Sequence, residues 1–240
     1  MKAPFRMTLP QPIDACIIDL DGTLVDTLGD FEAALGEMLA ALGRPPVPRA
    51  QIARLVGKGS EHLIGAVLAL GQAGAPDEAA LARAWPLYQR AYLRVNGRHS
   101  TVYPGAVRGL RALRDRGLPL ACLTNKPLAF ARPLLAAKGL DGFFGHVFGG
   151  DSFARRKPDP LPLLETCKAL GTAPPRTLMV GDSSNDAAAA RAAGCPVVLL
   201  RHGYNHGEPV EGAGADACFD SMAEAAAWLH NGAMQEVGST

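Results

Sequence analysis

Short apolar runs alternate with longer Ala/Leu-rich stretches along the 240-residue chain. Residues 15–20 (A-C-I-I-D-L), 118–123 (L-P-L-A-C-L), 177–180 (T-L-M-V) and 196–200 (P-V-V-L-L) read as strands, and 144–148 and 215–219 as weaker ones. Near-continuous apolarity in runs this short predicts burial on both faces, as in a parallel sheet covered by helices. Helical patterns fall between them at 107–116, 130–138, 161–170 and 185–193. Gly117, Gly139, Gly171 and Gly194 follow these four patterns, where a helix end favours a left-handed residue. The rhythm predicts an α/β fold with a doubly wound, mostly parallel sheet.

One region breaks the rhythm. Between residues 27 and 100 no strand pattern occurs; helical patterns cover 28–42, 50–56, 61–70 and 76–95, separated by the turn-rich pieces 43–48 and 71–76. The expectation is a helical cap inserted after the first strand, the chain re-entering the sheet near Tyr103-Pro104-Gly105. This divides the chain into a core of 1–27 and 100–240 and a cap of 28–99. Residues 1–12, with three prolines, and the last ten residues are expected to be loose ends.

Composition narrows the class. At this length roughly 70–75% of the unfolded surface can be buried, so a core forms without disulfides or a structural metal. Lys plus Arg is 24 and Asp plus Glu 23, a net charge of +1, which argues against nucleic acid or an anionic membrane as partner. It leaves room for a small anionic substrate. The five cysteines are scattered, with no C-x-x-C pair, and no secretion signal or membrane-length apolar run is seen, so reduced thiols in a cytoplasmic protein are expected. Cys16 and Cys122 lie inside apolar runs and are expected in the core. Nothing in the sequence sets the oligomeric state.

The chemistry gathers at predicted strand ends. Asp19-Leu20-Asp21-Gly22-Thr23 ends the first strand, and ligands of open α/β sheets bind beyond the carboxyl ends of the strands. Asp19 and Asp21, two apart, project to one side, and Gly22 permits a sharp turn. Two like charges so placed call for a divalent cation, and hard oxygen ligands suit Mg²⁺. Alone, the segment also reads as a surface turn. The strand 118–123 leads to Thr124 and Asn125, which could bind phosphate oxygens or cap a helix. The strand 177–180 leads to Asp182 and Asp186, further carboxylates for a metal or an acidic helix start. Lys157, held extended by Pro158, offers a fixed charge or a solvated turn. Four such pieces in order, on one predicted sheet, favour the functional reading. Gly57-Lys58-Gly59-Ser60 is a candidate specificity loop whose Lys58 could reach a carboxylate. It is no P-loop, since the opening glycine is missing. His202 and His206, four apart, sit among glycines and suit structural or substrate-side roles better than zinc.

The four pieces resemble the motifs of the haloacid dehalogenase superfamily: D-L-D-G-T at 19–23, Thr124-Asn125, Lys157-Pro158 and G-D-S-S-N-D at 181–186. L-V-D-T, V-G-K-G at 56–59, T-N-K-P at 124–127 and G-Y-N-H-G-E-P at 203–209 are similar to segments of bacterial phosphoglycolate phosphatases. The last should lie beside the site, near the carboxyl end of strand 196–200. The resemblance implies a Rossmann-like core with a helical cap and an aspartyl-phosphate mechanism acting on a small phosphate ester. It implies Asp19 as nucleophile, Asp21 as general acid and base, and Mg²⁺ held by Asp19, the Asp21 carbonyl and Asp182 with Asp186 adjoining. Thr124, Asn125, Lys157 and backbone N–H groups after Asp19, Gly22 included, would meet the phosphoryl oxygens. Other phosphatase substrates, a phosphomutase and a phosphoacceptor signalling domain are the alternatives, the last disfavoured by length.

Overall fold

A computed structural model describes residues 12–71 and 76–236, the last seven as backbone. Six parallel strands form the main sheet: β1 (Ala15–Ile18), β4 (Leu120–Leu123), β5 (His146–Phe148), β6 (Thr177–Gly181), β7 (Val197–Leu200) and β8 (Ala217–Phe219). Their order is β5-β4-β1-β6-β7-β8. From β1 the chain winds first through β4 and β5, then returns past β1 to β6, β7 and β8. The reversal falls between β1 and β6, where Ile18 pairs with Val180, and an open sheet presents its ligand crevice there.

Side-chain alternation in β1 builds two cores. Cys16 and Ile18 face one way, against α5 (Ala106–Asp115), α6 (Leu128–Ala137) and α9 (Met222–Glu236). Ile17 faces the other, against α7 (Leu161–Leu170) and α8 (Ser184–Ala193). Both faces are covered, which is why these strands carry no polar alternation. The glycines that follow α5, α6, α7 and α8 all have positive φ, between 65° and 79°.

Between β1 and β4 the chain leaves the sheet as one strand of a two-stranded ribbon, β2 (Val25–Asp26), and returns as the other, β3 (Thr101–Val102). Four helices lie between: α1 (Leu28–Ala41), α2 (Arg49–Leu55), α3 (Ser60–Ala69) and α4 (Glu78–Val95). They bury their own cluster around Phe31, Met38, Leu63, Tyr88 and Tyr92, which also takes in Phe130 of α6 and Tyr204 after β7. Buried Asp30 ties the two ends of this insert together, accepting the N–H groups of Gly97 (2.8 Å) and His99 (2.7 Å).

The structure departs from expectation in two places. The strands β2 and β3 are too short to register as a pattern. Helix α9 occupies the tail expected to be loose as far as residue 236, because Met222, Ala225, Ala226 and Leu229 pack on the sheet face beside α5. The other expected loose end, residues 1–11, lies outside the described residues, as do 237–240 and positions 72–75 of one expected turn. Among the described residues no helix is long and apolar enough to cross a membrane.

Helices α5 and α9 approach at Gly109, where a Cβ would come within 2.5 Å of the Met222 carbonyl oxygen. Gly36 in α1 faces open space. We expect Gly109→Ala to lower stability by about 1–3 kcal/mol through overpacking. Gly36→Ala should raise it by up to about 1 kcal/mol through helix propensity. Urea unfolding of the two variants checks the opposite signs.

Candidate active site

Four loops at the carboxyl edge of the sheet build the site. Asp19 follows β1, its N–H bonded to the Val180 carbonyl of β6 (2.9 Å). Asp182 follows β6, and Asp186 lies in the first turn of α8. Carboxylate oxygens of these three buried residues lie within 4.8 Å of one another. Lys157, from the loop before α7, reaches under them. Its Nζ donates to Asp186 Oδ1 (2.7 Å) and the Leu123 carbonyl (2.8 Å), and lies 3.1 Å from Asp19 Oδ1. That last approach is off the line of a hydrogen bond, so Asp19 Oδ1 is buried without a donor.

Three carboxylates against one ammonium in a dry place is an unbalanced set. Burial pushes Asp19 up to about 7, with Lys157 opposing and Asp186 adding to the rise. Burial likewise lifts Asp182 well above the usual carboxylate range, helped by Asp186 and Asp19. Burial alone would lower Lys157, but Asp186 and Asp19 hold it above the ordinary lysine range. A hard divalent cation fits this donor set: it would sit against the undonated oxygen of Asp19 and offset the excess negative charge.

The neighbours of Asp182 are fixed tightly. Its Oδ1 accepts the Thr23 hydroxyl (2.7 Å) and its Oδ2 the Tyr204 N–H (2.6 Å). A Cβ on Gly22 or Gly203 would fall 2.3 or 2.2 Å from an Asp182 atom. Gly22, at φ 86°, makes the sharp turn expected of it, but its N–H is bonded to the Val25 carbonyl (2.9 Å) and is not free for a substrate oxygen. Asp186 is committed on both sides: Oδ1 to Lys157, and Oδ2 to the Ser183 N–H (3.1 Å) and hydroxyl (2.8 Å), which caps α8.

A cavity of about 30 Å³ opens above Asp19, lined among others by Asp21, Phe31, Val56, Gly57, Ser60, Leu63, Thr124, Asn125 and Lys126. The expected residues divide around it. Asp19, Asp21 and Thr124 face it together. Asn125 borders it, but its amide donates to the carbonyls of Gly57 (2.9 Å) and Lys157 (2.8 Å), so one hydrogen ties the insert to the core and the other joins two loops of the core. Lys58 stands outside: its side chain is exposed and its carbonyl accepts from Arg156 (3.4 Å). The Asp21 carboxylate lies apart from the acidic cluster, gripped by Lys126 Nζ at 2.8 and 3.0 Å.

Two residues carry more of the site than the sequence reading gave them. Lys126 is buried, donates to the Tyr92 hydroxyl (2.6 Å), and lies 4.7 Å from the ring centres of Phe31 and Tyr92. Tyr204 sends its hydroxyl to Asp26 and accepts the N–H groups of Thr27 (2.9 Å) and Leu28 (3.2 Å). It thus pins the start of the insert to the residue that fixes Asp182. The expected place of 203–209 beside the site agrees with this. His202 and His206 face separate partners, Thr23 and Asp220 carbonyls for the first, Asn185 and the Arg54 carbonyl for the second. These contacts join loops of the core and the insert.

A parallel sheet whose switch point holds an aspartate triad and a buried lysine defines a hydrolase class, and the chain belongs to it: residues 13–194 match the haloacid dehalogenase-like hydrolase family. The chain is similar to proteins named phosphoglycolate phosphatase from Thiobacillus denitrificans (45% identical) and Nitrosospira multiformis (46%). Each match spans 219 residues, 91% of this chain and 96% of the relative. A solved structure described as a predicted phosphoglycolate phosphatase from Haemophilus somnus superimposes with a TM-score of 0.84. It is 31% identical and covers 90% of this chain and 97% of its own.

Tyr204→Phe removes the acceptor of the buried Thr27 N–H. We expect a loss of about 1–3 kcal/mol in urea unfolding, the cost of an unsatisfied buried group. A loss below a few tenths would show that the tyrosine hydroxyl does not hold the insert.

Proposed function

We propose that the chain is a Mg²⁺-dependent phosphatase of small phosphate monoesters, acting on 2-phosphoglycolate to give glycolate and phosphate through an aspartyl-phosphate. The observation that carries the chemistry is the Asp19–Asp182–Asp186 cluster, set over Lys157 at the switch point. The substrate is supported by the names of relatives alike over nearly the whole chain. A cytoplasmic location, supported by five free cysteines, belongs to the same reading, as does the division into a core of 1–27 and 100–240 and a cap of 28–99.

Asp19 is the nucleophile, because it belongs to the acidic cluster and also lines the cavity, beside Asp21. It attacks phosphorus, and the bond from phosphorus to the ester oxygen breaks. Asp21, on the cavity side, gives the leaving oxygen a proton and then takes one from the water that splits the acyl-phosphate, which restores Asp19. A phosphatase needs this acid, whereas a halide leaves without a proton. Lys157 and the Thr124 hydroxyl face the negative charge on the non-bridging oxygens. Asp19 and Asp182 would hold Mg²⁺, with the Asp21 backbone and Asp186 adjoining; the ion would neutralise phosphate charge. The helices 28–95 serve as a lid: a cavity of 30 Å³ is on the scale of one or two waters, so they move aside for substrate and close to exclude water.

Asp19→Asn, which keeps the shape of the side chain, should reduce kcat by about a thousandfold or more while leaving the unfolding curve cooperative. Near-normal kcat would remove the nucleophile assignment. A panel of 2-phosphoglycolate, hexose phosphates, nucleoside monophosphates and pyrophosphate, assayed with Mg²⁺, should give 2-phosphoglycolate the highest kcat/KM. A preference for any other overturns the substrate and keeps the mechanism.

A further inference from the structure

We propose that Lys126 recognises a second negative charge on the substrate, a carboxylate on the carbon that bears the ester oxygen. This rests on the phosphatase reading above and replaces Lys58 as the expected contact. The cavity over Asp19 is lined by two acids, Asp19 and Asp21, and by one ammonium, that of Lys126. A substrate with a phosphate and a carboxylate brings two anionic groups toward these acids. Its phosphate lies on the sheet side, where Lys157 is. Its carboxylate needs a cation on the opposite side.

Lys126 is there. Its side chain is 1% exposed, and its Nζ contacts Asp21 from the direction of the insert, touching the Tyr92 hydroxyl and the faces of Phe31 and Tyr92. Lys157 therefore serves Asp19 from the loop before α7, and Lys126 serves Asp21 among residues of the insert. With phosphorus at Asp19 and the leaving oxygen at Asp21, the next atoms of the substrate point toward Lys126. A carboxylate one carbon from the leaving oxygen meets the ammonium beside Asp21. The rings behind it exclude water, so the ionic contact is weakly screened. Phe31, Val56 and Leu63 wall the same end, which leaves little room for a longer or branched alcohol. An uncharged ester of equal size gains nothing from Lys126.

The test compares kcat/KM, with Mg²⁺, for 2-phosphoglycolate and for ethyl phosphate, which is of similar size and lacks the carboxylate. Wild-type protein should favour 2-phosphoglycolate. In Lys126→Met both rates fall, because Asp21 loses its partner, but the ratio between the substrates should drop roughly 10- to 100-fold, the range for a hydrogen bond to a charged group. Most of that drop should appear in KM. Lys126→Gln keeps a polar head against Asp21 and is measured in parallel, should the Met variant not fold; the same collapse of the ratio is expected. A high wild-type ratio that survives in the variants would mean Lys126 only positions Asp21, and would overturn this proposal alone. A wild-type ratio near one would overturn both it and the 2-phosphoglycolate reading.

Discussion

Three carboxylates and one ammonium share a buried space at the end of β1 and β6, and much of the surrounding chain exists to make that tolerable. Burying charge without a partner is costly. Here Asp182 is held by Thr23 and Tyr204, Asp186 by Lys157 and its own helix cap, and only Asp19 keeps an undonated oxygen. The constraint reaches into backbone chemistry. Gly22, Gly181 and Gly203 each stand where a Cβ would strike Asp182 or Asp186 at 2.2–2.4 Å, so those positions cannot carry side chains without shifting an acid.

The same residues couple the acidic cluster to the helical insert. Tyr204 binds Asp182 through its N–H and the start of the insert through its hydroxyl. The Gly57 carbonyl receives Asn125 at 2.9 Å and Asn185 at 3.3 Å, so the loop between α2 and α3 is latched to the loop after β4 and to the first turn of α8. Lys126 joins Asp21 to Tyr92. Moving the insert would disturb contacts to Asp21 and around Asp182 together, which gives a physical basis for linking substrate entry to the arrangement of the acids.

Much of this was legible in the chain. The alternation of apolar runs and Ala/Leu-rich stretches gave six strands and their helices, because strands buried on both faces need continuous apolarity, and positive-φ glycines marked four helix ends. Asp19, Asp182, Asp186 and Lys157 could be placed together because each stands at a strand end or a helix start of one sheet. What the sequence did not show has one cause. The residues Lys126, Tyr204 and Asn125 work through contacts 32 to 178 positions away, and no local pattern encodes such partners. Lys58 was singled out for its glycine-flanked loop, yet the loop contributes its Gly57 carbonyl and leaves the lysine outside. Helix α9 was hidden because its packing partner, Gly109, is remote in sequence and carries no side chain to announce a contact.

The central claim is that an oxygen of Asp19 bonds to phosphorus during turnover. Protein mixed briefly with 2-phosphoglycolate and Mg²⁺, quenched in acid and digested, can be read by mass spectrometry. The account predicts a phosphoryl group on the peptide containing Asp19, absent when substrate is omitted. Continuing turnover with that peptide unmodified, or with the phosphoryl group on another residue, would contradict it.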